Sequence, residues 1–193
     1  MAIPVETKAW TVTQVQQLFP ESLDDTRHEL IDGELFVSTQ PSWQHQRTGY
    51  NIARALDSWG MAAEAGMTVV APGVVFSEHE AVAPDVVWIS RQRLDQVLDP
   101  NGRLRAAPDL VVEVLSPGIR NIQRDREAKL EVYSRRGVRE YWIVDWQART
   151  ADVFRPAGNR LHLAATLTAD DTLESSLLPG FSCHISEFFA SVR

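Results

Sequence analysis

Apolar and polar residues recur along the chain in blocks whose period shifts between about two and about 3.6, and those shifts lay out the elements. Residues 44–59 place Ile52, Ala55, Leu56 and Trp59 on one side at helical spacing, which predicts an amphipathic helix. Residues 109–115, D-L-V-V-E-V-L, and 139–146, which contain Y-W-I-V-D-W, are nearly continuous apolar runs. Such runs predict strands buried on both faces. Between them, residues 122–135 return to helical spacing and stop near Gly137, a residue suited to closing a helix. Strand, helix, strand in that order predicts a parallel crossover and therefore an α/β sheet.

Shorter signals fill in the rest. Thr11 and Gln14 fit a capping box for a helix over residues 11–19, with Pro20 after its end. Residues 27–38 predict a hairpin turning at Asp32-Gly33. Residues 68–76 and 84–89 are strand-like, the second beginning at Pro84, and residues 91–98 predict a short helix capped by Ser90. A second hairpin is expected over residues 151–167 around P-A-G-N, and a short helix over residues 186–190. No repeats, low-complexity tracts or linkers interrupt the 193 residues, so one domain over residues 1–193 is expected.

Composition excludes some classes. The chain start has no apolar run of signal-peptide length, and the stretch 67–76 is short and broken by Pro72 and Gly73. No membrane association and a cytoplasmic address are the expectation. A single cysteine, Cys183, excludes a disulfide framework and a cysteine-rich zinc site. The net charge of −7 argues against a protein that coats nucleic acid non-specifically. Residues 116–139 reverse that average, however: seven basic residues oppose Asp125, Glu127 and Glu131, giving +4 against −11 for the remainder. Such a stripe suits a phosphate-handling site or a solvated helix face with i,i+4 pairs.

Glu113 carries the most chemical information. It sits inside an apolar strand, where a carboxylate must find a cation or shift its pKa. Ion pairing with an arginine and metal ligation both satisfy that demand. Asp109 shares its strand face but lies about 13 Å away, too far to share an ion. Asp85, on another strand, can approach within about 5 Å if the strands are neighbours; the alternative for Asp85 is turn capping. The chain has two lysines, Lys8 and Lys129. Lys129 falls on the helix after the Glu113 strand, on a face with Ile122, Asp125, Val132 and Tyr133. There it can pair with Asp125 at the surface or turn inward as a compact, tunable cation. Two carboxylates holding Mg²⁺ with a nearby ammonium supply the parts for phosphodiester hydrolysis.

Several motifs together give the chain a family likeness. They are H-E-L-I-D-G-E-L at 28–35, A-P-D-V-V at 83–87, P-D-L-V-V-E-V-L-S-P at 108–117, D-R-E-A-K-L-E-V-Y at 125–133, G-V-R-E-Y-W-I-V-D at 137–145 and L-L-P-G at 177–180. With them the chain resembles the Uma-type restriction-endonuclease-like family of the PD-(D/E)XK nuclease superfamily. The resemblance implies an α/β fold with a restriction-endonuclease-like αβββαβ core and a mixed sheet, flanked by an N-terminal and a C-terminal hairpin. It implies a Mg²⁺ (or Mn²⁺) endonuclease acting on DNA, compatible with a homodimer. Asp85 and Glu113 would be the metal ligands, and Lys129 and Glu29 would complete the catalytic set. Arg120, Arg124 and Arg126 would hold flanking phosphates. Asp125 matches the acidic residue one turn before the lysine. His45 matches a histidine at the start of the first core helix, although an ordinary helix-start role is the favoured reading. For Glu29 and Glu34, cross-strand pairing in the hairpin is the alternative.

Three positions depart from the pattern. Leu115 stands where the superfamily places its lysine, two residues after the glutamate, so the site depends on Lys129. Gly118 replaces a hydroxyl residue, and His28 replaces a tyrosine. Two further functions stay in view: a non-catalytic nucleic-acid-binding protein that keeps the fold, and a hydrolase of small phosphorylated substrates. Six tryptophans raise base stacking. Trp59, Trp88 and Trp142 fall in predicted core elements, while Trp43 and Trp146 remain open.

Overall fold

A computed structural model describes residues 9–19, 26–63 and 65–192; Lys8 and Pro20 lie outside them. The capping box forms as expected and opens α1 (Val12–Leu18), with the Thr11 side chain accepting from Gln14 N–H and Gln14 from Thr11 N–H. The Asp32-Gly33 turn joins β1 (Arg27–Ile31) to β2 (Glu34–Ser38), with φ of 52° and 79° at its two residues. Two consecutive positive φ values make the primed turn that matches strand twist. The amphipathic helix α2 runs further than its periodicity indicated, over Trp43–Ala63.

The predicted strand over 68–76 is two strands. β3 (Gly66–Val70) and β4 (Val74–Ser77) belong to different sheets, separated at Ala71, whose φ is +50°. Apolar character continues across that bend, so hydrophobicity alone concealed the break. A short β5 (Glu80–Val82) then pairs with β4 and with β1. β6 (Val86–Ser90) leads into α3 (Arg91–Val97). Ser90 has the extended backbone of a cap but its hydroxyl does not cap α3; instead, its N–H donates to Asp109.

β7 (Leu110–Val114) precedes a composite helix: α4 (Ile119–Gln123), a π-helical turn (Arg124–Ala128) and α5 (Lys129–Arg136), closed by Gly137 at φ 79°. The helix starts three residues before the predicted position. β8 (Glu140–Asp145) follows, then the hairpin β9 (Thr150–Ala157) and β10 (Arg160–Thr168), a small β11 (Thr172–Glu174) with β12 (Ser182–His184), and α6 (Ile185–Phe188).

Among the described residues, the main sheet has the order β10-β9-β8-β7-β6-β3, with β7 and β8 parallel and the other neighbours antiparallel. The expected αβββαβ core is therefore α2, β3, β6, β7, the composite helix and β8. A smaller antiparallel sheet, β2-β1-β5-β4, stands beside it.

Both faces of the main sheet are covered. Leu110, Val112 and Val114 of β7 enter one core with Ile52 and Leu56 of α2 and Phe188 of α6. Val111 and Leu115 point the other way, to Val132 and Tyr133 of α5. That division puts Glu113 on the α5 side. At the sheet edge, Gly66 passes so close to Trp88 that an added Cβ would lie 2.7 Å from its ring, and it would also meet the Ile89 carbonyl. Gly66→Ala is expected to destabilise the protein by about 1–3 kcal/mol through overpacking. Urea denaturation measures this, and an unchanged midpoint would show that the edge yields freely.

Candidate active site

The antiparallel register fixes the first two groups. Val86 faces Val112 and Val87 faces Val111, so one step back along the same ladder sets Asp85 opposite Glu113. Both follow the parity of Val87 and Val111, and their side chains lie on the same face of the sheet. Asp85 is held by three contacts. Its Oδ2 accepts from Val114 N–H at 2.8 Å and lies 3.2 Å from His45 Nε2, and its Oδ1 accepts from the Arg27 guanidinium at 2.9 Å. Burial works against its charge, but His45, Arg27 and Lys129 more than offset that and hold the carboxyl well below the usual range.

Glu113 has the opposite character. Lys129 Nζ donates to its Oε1 at 2.9 Å and the Tyr133 hydroxyl does so at 2.7 Å. Burial, reinforced by the charges of Asp85, Asp125 and Glu29, nevertheless outweighs the ammonium and pushes Glu113 up from the ordinary 4.5 to about 8. Two carboxylates facing each other across one ladder thus differ sharply in proton affinity. Both hydrogen bonds to Glu113 fall on Oε1, and Oε2 accepts none among the described residues.

Lys129 is fully buried. Besides Glu113 it meets Glu29 Oε1 at 2.9 Å and Asp125 Oδ1 at 3.6 Å. Burial disfavours its charge, yet Glu113, Glu29 and Asp125 together raise its pKa well above the ordinary lysine value. The π-helical turn helps to place these groups: Lys129 N–H donates to the Arg124 carbonyl five residues back. This widened turn puts Asp125, Lys129 and Tyr133 among the buried residues of the composite helix. Glu29, reaching in from β1, also accepts from Ala83 N–H at 2.9 Å; its buried Oε2 has no hydrogen-bond partner and sits 3.7 Å from Arg124. Burial opposes its charge, but Lys129 and the two arginines Arg124 and Arg27 keep its pKa lowered.

A cavity of about 410 Å³ opens in front of the pair. Asp85, Glu113, His45, Arg27 and Arg124 line it, together with residues 37–42 and the 116–117 turn. Lys129 and Glu29 are absent from that wall: they stand behind Glu113. The expected set therefore divides into two carboxylates at the cavity, with an ammonium and a third carboxylate supporting them from the interior. The arginines divide too. Arg124 lines the cavity, whereas Arg120 lines a neighbouring open groove of about 890 Å³ between the β1–β2 hairpin and the composite helix. Arg126 turns away and donates to Asp152 at 2.6 Å.

Much of the basic stripe is similarly committed. Arg135 bridges Asp32 and Glu80, Arg136 joins Glu80, and Arg139 pairs with Asp109. Glu34, whose alternative was cross-strand pairing, faces Ile31 across the hairpin rather than an opposite charge. Sequence reasoning had passed over Arg27 and Tyr133 as site residues and had weighted His45 towards an ordinary helix start. No local pattern marks Arg27, because its partner Asp85 is 58 residues away.

Among the described residues, no three histidine, cysteine or carboxylate groups gather as a ready metal cage. The donor set that is present suits a hard divalent cation. Two carboxylates facing one cavity are what Mg²⁺ or Mn²⁺ takes from protein when water and substrate oxygens complete its shell. No helix of the described residues is long and apolar enough to cross a membrane.

Comparison with known proteins agrees with this architecture. The profile of the Uma2 family, described as "Putative restriction endonuclease", matches residues 13–186. A crystal structure of "a putative nuclease belonging to DUF820" from Anabaena variabilis ATCC 29413 superposes with a TM-score of 0.71 at 17% identity, covering 95% of this chain and 99% of that one. No curated protein matches the chain.

Proposed function

The chain belongs to the Uma2 family of putative restriction endonucleases, and from that membership and the cavity we propose that it is a metal-dependent endonuclease hydrolysing phosphodiester bonds in DNA, working in the cytoplasm. The observation that carries the reading is the pairing of Asp85 and Glu113 across one strand ladder at the wall of a cavity that also presents Arg27 and Arg124.

In this reading Asp85 and Glu113 hold Mg²⁺ or Mn²⁺. The ion, when bound, polarises the phosphate and lowers the pKa of an attacking water. Asp85 is fixed for the task by the Val114 N–H, His45 and Arg27. Glu113 is oriented by Lys129 and Tyr133, and the buried Lys129 ammonium adds positive field behind the reacting phosphate without touching solvent. Arg124, at the cavity wall, is placed to fork onto a phosphate oxygen. Glu29 and Asp125 hold Lys129 in position.

A metal site that includes Glu113 must displace a proton held up to about pH 8. Metal affinity is therefore expected to rise about tenfold per pH unit below 8 and to level off above it. Mn²⁺ titration by calorimetry between pH 6 and 9, alongside nicking of supercoiled plasmid with Mg²⁺ or with EDTA, tests both parts. Metal-independent nicking, or pH-independent metal affinity, would remove the assignment.

The second reading is a non-catalytic nucleic-acid-binding protein. It gains weight from the pairing of Arg126, Arg135, Arg136 and Arg139 with carboxylates, which leaves a modest positive surface on a chain of net charge −7. Binding without nicking in the same assay selects it.

A further inference from the structure

The outer face of α2 has no part in the site or the core, yet its composition is distinctive. Trp43, Arg47, Tyr50 and Arg54 recur at i, i+4, i+7 and i+11, and at about 100° per residue they form one narrow stripe. Ile52 and Leu56, which enter the core, lie on the opposite side of the helix. Trp43 is 68% exposed and Tyr50 is 55% exposed. Most of the other tryptophans bury themselves: Trp59, Trp88, Trp142 and Trp146 all pack in or against the core on that side of the sheet. Leaving a tryptophan and a tyrosine in water on one helix face, with arginines between them, does nothing for the stability of the fold. The Arg47 guanidinium lies over the Tyr50 ring at 5.1 Å, which holds that ring as a platform.

We propose that this stripe is a binding track for single-stranded nucleic acid leading to the cavity. The inference rests on the endonuclease reading and names its substrate as a strand with unpaired bases. Three observations carry it. The first is chemistry: exposed aromatic faces interleaved with guanidinium groups are what unstacked bases and their phosphates require, whereas a duplex hides its base faces. The second is dimension. Trp43 and Tyr50 are about 10 Å apart along the axis, a span of about three nucleotide rises of 3.4 Å. The third is continuity, because Pro41, Ser42 and His45, at the same end of α2, line the cavity. Ser42 also caps the helix there by accepting from His45 N–H. The alternative exit, the groove that holds Arg120, presents Asp32, Glu34, Glu127 and Glu131 and repels a phosphate chain.

Fluorescence anisotropy with a 5′-labelled oligo(dT) of a dozen nucleotides, in EDTA, reads this directly. Wild type is expected to bind the single strand more tightly than the corresponding duplex. Trp43→Ala and Tyr50→Ala should each weaken binding of the single strand by about tenfold. Hydrolysis of bis(p-nitrophenyl) phosphate, which is too small to reach the stripe, should be unchanged in both variants. Equal binding by the variants overturns the track, as does a preference of wild type for duplex. Conversion of a wild-type dimer to a monomer by Trp43→Ala, seen by sedimentation, also overturns it, since the face would then be a subunit contact. These failures separate from failure of the nuclease reading: duplex nicking that is indifferent to Trp43 sinks the track alone, whereas stripe-dependent binding without any hydrolysis sinks the nuclease alone.

Discussion

Glu113→Gln is expected to reduce DNA cleavage by at least about 10³-fold, some 4 kcal/mol of transition-state stabilisation, while leaving the folded protein no less stable. The two halves of that expectation have one origin. Glu113 is buried among Asp85, Asp125 and Glu29, and its carboxyl retains its proton up to about pH 8. Between roughly 4.5 and 8 the unfolded chain has released that proton and the folded chain has not. Raising the pH through this window therefore lowers stability in the wild type. Glutamine keeps an oxygen for Lys129 and Tyr133 to donate to, but it has no charge to desolvate and none to offer a metal. Its stability should consequently be flatter across the same range. Glu29 and Asp85, whose pKa values are depressed, act in the opposite sense, and their contributions are lost only at acid pH. Thermal melts of both proteins at pH 5.5 and 8.5, beside plasmid nicking, make the comparison. A variant that still cuts at a tenth of the wild-type rate would remove Glu113 from the metal site.

Lys129→Met should lose both activity and stability. The ammonium is fully buried and meets three carboxylates; taking away one member of such a group strands the rest and costs about 3–5 kcal/mol. The loss should be largest above pH 8, where Glu113 would otherwise be ionised, and smaller near pH 5.5, where a proton already relieves it. Urea midpoints at the two pH values read this difference. A pH-independent loss would locate the damage in packing alone, and a stable variant with normal cleavage would refute the electrostatic account.

Much of the architecture could be read from periodicity because burial is so asymmetric. β7 and β8 are buried along nearly their whole length, so their apolar runs were unmistakable, and Asp32-Gly33 could hardly be anything but a turn. The boundary between β3 and β4 was hidden because Val69, Val70, Val74 and Val75 keep one hydrophobic character across a change of sheet. β5, β11 and β12 have three residues each, too few for a period to emerge. In the site, Asp85, Glu113 and Lys129 were visible as polar residues in apolar surroundings. Arg27 and His45 were not, since their roles exist only through contacts with Asp85 that no local pattern encodes. Lys129 was expected at the reacting phosphate and instead stands behind Glu113. Spacing gave the correct side of the helix but not the depth, because the π-helical turn alters the spiral just where the lysine begins α5.

That turn also constrains the length of the chain. It holds one residue more than a regular spiral needs, so excising a single amino acid between Arg124 and Ala128 would restore ordinary winding. Everything downstream would then rotate by about 100° relative to α4, and the ammonium would swing away from its carboxylates with no change in its own identity. Exchanges of side chain in this stretch should be tolerated more readily than any gain or loss of a residue.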